Sequence, residues 1–145
     1  DSGFTGSFQT PSAAGTELRG KFEKSGDSLE CSIDWEGSAG VPEAFMLLVL
    51  LPPVDSFKSS VIQSGERVLS MAKIAEDIPT ANTLRDVQSL TMGPVDGKTV
   101  TLSSPNPLSL EIKRVGEEFH IRIYLTPKKS ALPASGSVQW TMSAQ

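Results

Sequence analysis

The chain has one cysteine, Cys31, and one histidine, His120. A lone cysteine excludes an internal disulfide framework and a cysteine-rich zinc site. A lone histidine leaves a single imidazole for any base, and no nucleophile-elbow motif accompanies it, so a Ser–His–acid triad has no support. Glycine-rich phosphate loops are absent. So is the Asn-X-Ser/Thr pattern, since Asn82 is followed by Thr83-Leu84 and Asn106 by Pro107-Leu108. The longest apolar run, Phe45 to Leu51, falls far short of the roughly 20 residues that span a bilayer as a helix, and no signal-peptide pattern is present. There is no basic run either. Lys113-Arg114 and Lys128-Lys129 stand as isolated doublets in a chain of net charge −4, which leaves nucleic-acid contact at most weak.

What is present is alternation. In 145 residues, 38% hydrophobic and 21% charged, the chain carries six Phe, two Trp and one Tyr. That is a globular composition of single-domain size. Ten Pro and twelve Gly predict short elements with frequent turns. The chain starts at Asp1 and not at Met, as expected of a processed product, a trimmed chain or the ordered part of something longer.

Residues 1–15 are small and polar apart from Phe4 and Phe8, and read as an extended arm. One sandwich domain is expected over 16–145. Leu18, Gly20 and Phe22 share one strand face, opposite Glu17, Arg19, Lys21 and Glu23. After the Ser25-Gly26-Asp27 turn, Leu29, Cys31, Ile33 and Trp35 point one way while Glu30, Ser32, Asp34 and Glu36 point the other. The unbroken run Phe45–Leu51, closed by Pro52-Pro53, predicts a strand covered on both faces in the middle of a sheet. Within 54–92, Val68, Met71, Ala72 and Ala75 fall at helical spacing, and so do Leu84, Val87 and Leu90. Short strands around 68–74 and 89–92 fit the same residues, and one or two short helices are expected there.

Beyond Asp96-Gly97, Val100 and Leu102 form a strand that Pro105-Asn106-Pro107 breaks. Leu108, Leu110 and Ile112 form another. Phe119, Ile121, Ile123 and Leu125 alternate with His120, Arg122 and Tyr124, and Val138, Trp140 and Met142 close the chain. Seven or eight strands without a βαβ rhythm predict an all-β antiparallel sandwich, jelly-roll-like.

By parity Cys31, Trp35 and Trp140 belong to the core and His120 faces out, which separates the thiol from the imidazole. Glu30, Asp34 and Glu36 share one face and invite a glycosidase or Ca²⁺ reading. Paired glycosidase acids come from different elements across a cleft, however, and calcium loops carry Asp or Asn with Gly. A solvated face opposite Arg122 or Lys21 is the expectation, with no catalytic residue, cofactor or metal: not an enzyme.

The run Leu29-Glu30-Cys31-Ser32-Ile33-Asp34-Trp35, then a small-residue loop and an apolar strand ending in Pro, resembles a known arrangement. So does Phe119-His120-Ile121-Arg122-Ile123-Tyr124-Leu125 followed, after a Pro/Ser/Gly loop, by Val138-Gln139-Trp140-Thr141-Met142. The order over 16–52 and 98–143 is similar to the jelly-roll coat-protein domains of small icosahedral RNA viruses, especially the plant picorna-like viruses. Terminal Gln145 suits a viral protease that cuts after Gln. The resemblance implies a capsid subunit of a virion that self-associates through edges, loops and arm. Phe4, Phe8, Pro52, Pro53, Phe57, Lys128 and Lys129 are then the expected contacts, with the loops at 37–42, 52–60 and 127–136. The alternative is an extracellular or periplasmic sandwich module that binds carbohydrate or protein through its loops.

Overall fold

The computed structural model describes residues 4–11, 17–36, 47–76, 82–125 and 135–145. They form an all-β antiparallel sandwich with two short helices, as the alternation predicts. The strands are β1 (Phe4–Pro11), β2 (Glu17–Ser25), β3 (Ser28–Glu36), β4 (Leu47–Leu50), β5 (Val61–Ser64), β6 (Arg67–Ser70), β7 (Asn82–Val95), β8 (Lys98–Val115), β9 (Glu118–Tyr124) and β10 (Ser135–Ala144). Helix α1 is Val54–Phe57 and α2 is Met71–Glu76. None of the described helices is long and apolar enough to cross a membrane.

One long hairpin makes both layers. The first half of β8 pairs with β10 through Val100–Ser103, while its second half pairs with β9 from Ser109 to Val115. The partner changes at exposed Pro105-Asn106-Pro107, where the ladder to β7 also shifts register. Proline has no N–H for a ladder, so the strand bends there and passes from one layer to the other. The first layer runs β1-β2-β3-β10-β8-β7-β5-β6 and the second adds β4 and β9 beside β8. The hairpin turns at Asp96-Gly97, both at positive φ (50° and 77°), the turn type that matches strand twist and that Gly satisfies without strain.

One core joins the layers. Leu108, Leu110, Ile112, Phe119, Ile121 and Ile123 are fully buried, and Ile62, Leu90, Leu102, Trp35 and Val138 meet them from the first layer. Helix α2 seals one end with Met71, Ile74 and Ala75, its last turn held by the Arg114 guanidinium, which donates to the Ala75 carbonyl at 3.0 Å.

Several expectations need correction. There are ten described strands. Strand β5 lies where none was expected, and β6 falls at the start of the strand allowed around 68–74. Val68 lies in β6 and is exposed, so the helical stretch begins only at Met71. The three-residue spacing of Leu84, Val87 and Leu90 belongs to a strand: register shifts on either side of Val87, with Asp86 at φ 55°, return these side chains to the core face. β4, expected in the middle of a sheet, pairs with β9 alone among the described residues. Val49 on it is 46% exposed. Phe4–Pro11 of the expected arm is strand β1, hydrogen-bonded along β2. Phe57 is no surface contact: it is buried edge-on against Phe119, ring centroids 6.3 Å apart. Pro52 is partly buried and Pro53 exposed. Lys128 and Lys129 and the 37–42 loop lie outside the described residues, as does most of the 127–136 loop.

Candidate functional site

The two-residue turn at Gly26-Asp27 sets the register of β2 on β3, so that Lys21 faces Ser32 and Glu23 faces Glu30. Strand β10 then pairs with the other edge of β3, which places Gln139 beside Ser32 and Thr141 beside Glu30. Two rows result, Lys21–Ser32–Gln139 and Glu23–Glu30–Thr141, about 7 Å apart along the strands. They line a hollow of about 340 Å³ on the outer face of the sheet. Phe22, Cys31 and Trp140 form the row between them. By alternation their side chains belong to the inner face, where Trp140 packs against the core.

The chemistry of this hollow is that of hydrogen bonding: one ammonium, two carboxylates, two hydroxyls and one amide. The side chains of Lys21, Glu23 and Glu30 make no hydrogen bond or ion pair within the described structure. The far end of the same face differs. There Arg19 donates to Glu36 at 2.9 Å and lies 3.9 Å from Glu17. Polar groups are thus neutralised at one end of the face and left available at the other.

The expected acidic face is therefore divided. Glu36 belongs to the Arg19 ion pair, Asp34 stands opposite Arg19 in the ladder, and Glu30 enters the hollow. Arg122 does not meet this face; it lies in the second layer between Val49 and Glu111. His120 keeps its outward parity, half-covered, with its Nε2 3.8 Å from a Glu118 carboxylate oxygen. Cys31 is partly buried, and that burial pushes its thiol up, away from the thiolate form that nucleophilic chemistry needs. Trp35 is core, its indole lying where a β-carbon on Gly136 would fall. No three of His, Cys, Asp and Glu converge as metal ligands among the described residues.

Glu23, Lys21, Gln139 and Thr141 were not singled out as a site from the sequence. The first two were within reach, because a two-residue turn after Ser25 pairs Glu23 with Glu30 by counting. Gln139 and Thr141 reach the site through a pairing between the third strand and the last, which no local pattern announces.

No family model matches the chain, and no curated protein matches it. A solved structure does: a protein from Escherichia coli K12 provisionally named an aldose 1-epimerase superposes with a TM-score of 0.64 at 10% identity, over 99% of this chain and 65% of that one. At that identity the likeness is one of fold, and this chain spans just under two thirds of the matched protein. The match overturns two expectations. The solved protein that shares the sandwich is named for an enzyme acting on a sugar, which points away from a coat subunit and from a chain without a catalytic role.

Proposed function

We propose that this chain is a sugar-handling sandwich domain that seats an aldose ring in the hollow over β2, β3 and β10. The observation that carries the reading is the set of side chains there, unengaged by the other described residues and matched to a polyol. Glu23 and Glu30 accept from ring hydroxyls; Lys21 donates; Ser32, Thr141 and Gln139 do both. The aromatic face that often stacks on a sugar is missing from this set, since Trp140 belongs to the core side. Orientation then rests on hydrogen bonds alone.

The name of the fold neighbour directs attention to the anomeric carbon. Exchange of anomers needs a base for the hydroxyl on that carbon and an acid for the ring oxygen, as the bond between carbon and ring oxygen opens to the aldehyde and recloses on either face. The hollow offers both kinds of group, carboxylates at Glu23 and Glu30 and an ammonium at Lys21.

The test is a titration of the labelled chain with glucose and with galactose, followed by nuclear magnetic resonance. Shifts confined to residues around Lys21–Ser32 and Gln139–Thr141 are expected, together with faster exchange between the α and β anomers. Absence of any perturbation at saturating sugar sinks the reading. Binding without faster exchange removes the catalytic half and leaves a sugar-binding module.

A further inference from the structure

Resting on the sugar reading above, we infer that the aldose this hollow selects is a cationic one, a sugar bearing a free amino group. Glu23 and Glu30 hold directly opposed positions on neighbouring strands, where β-carbons stand about 5 Å apart and like charges repel. The protein relieves such crowding elsewhere on the face, by setting Arg19 against Glu36 and Glu17. It does not do so here. Lys21 lies two residues from Glu23 on the same face, and its ammonium reaches neither carboxylate.

The consequence differs with the sugar. A neutral aldose satisfies Ser32, Thr141 and Gln139 but leaves the two carboxylates facing each other. An amino group on the ring, protonated at neutral pH and placed between Glu23 and Glu30, donates to both, and charge-assisted bonds of this kind are the strong ones. A sugar acid brings a further negative charge to the pair. The surrounding field acts in the same direction, since the outer face of β2 and β3 carries Glu17, Glu23, Glu30, Asp34 and Glu36 against Arg19 and Lys21.

The experiment is calorimetric titration of the whole chain with glucosamine, glucose, N-acetylglucosamine and glucuronic acid at low and high salt. Glucosamine is expected to bind about fivefold tighter than glucose at low salt, the gain two exposed ion pairs supply, and the ratio should shrink as salt screens them. N-Acetylglucosamine, which keeps the nitrogen and loses its charge, should fall to the level of glucose or below, and glucuronic acid should be weakest. The double variant Glu23→Gln with Glu30→Gln should bring the glucosamine-to-glucose ratio to one. Glu36→Gln, at the ion-paired end, should preserve it and controls for folding. Equal affinity for glucosamine and glucose overturns the inference while leaving the sugar reading intact. Failure of all four sugars to bind overturns the sugar reading and the inference with it.

Discussion

The hairpin of β8 and β9 and the trio of β2, β3 and β10 use the same alternation and reach different degrees of packing. In the first, Leu108, Leu110, Ile112, Phe119, Ile121 and Ile123 are each at 0% exposure. In the second only Trp35 and Val138 are fully in the core; Leu18, Ile33, Trp140 and Met142 are packed against it and partly buried. Helices α1 and α2 account for much of the contrast, because Val54, Phe57, Met71 and Ile74 close the core around β7 to β9. Among the described residues the trio has no such cover. The lesson is a division of labour: one region supplies the close packing that holds the fold, and the other presents a loosely engaged polar face.

The largest effect should therefore come from the closed region. Ile121→Ala should cost about 3 kcal/mol through lost burial and the cavity left behind, measured as a drop in the urea midpoint. Leu18→Ala, partly buried in the trio, should cost about 1 kcal/mol. If the two variants lose equal stability, the two regions are packed alike and the contrast is void.

A second variant probes the trio where it enters the core. A β-carbon on Gly136 would enter the Trp35 indole, the best-buried side chain on β3. Gly136→Val should force the ring aside, cost about 2 kcal/mol as an overpacked site does, and red-shift the tryptophan emission. Unchanged emission with unchanged stability would mean that the trio yields freely even at the best-buried side chain of β3.

The sequence shows this division only in part. Alternation in β2, β3, β9 and β10 was legible and placed Trp35, Trp140 and His120 correctly, but Tyr124, on the outward parity of β9, is buried at 3% exposure. β4 misled because an unbroken apolar run reads as doubly covered, whereas Val49 and Leu51 are about half exposed. β7 misled for the opposite reason, since bulges stretched a period of two into one of about three and imitated a helix. Pro105-Asn106-Pro107 was read as a break and is a bend; the local rule is the same, and only the pairing on either side separates the two outcomes. The candidate site needed β10 on β3, a contact between residues more than a hundred positions apart. Such pairings follow from closing the whole sheet, and no window of sequence contains them.

The smallest effect separates the two regions most cleanly, because stability and function should move in opposite directions. Opposed carboxylates on neighbouring strands lower stability by a few tenths of a kcal/mol. Glu23→Gln should therefore raise the urea midpoint slightly at low salt, by about 0.3 kcal/mol in stability, and the gain should vanish as salt screens the repulsion. The same change removes an acceptor from the hollow and should weaken aldose binding. In the β8–β9 region no such exchange is expected, since a substitution there that harms the protein harms its fold. A Glu23→Gln variant that loses stability at low salt would show that the opposed pair is held by contacts beyond those seen. The polar face would then belong to the scaffold and not to the site.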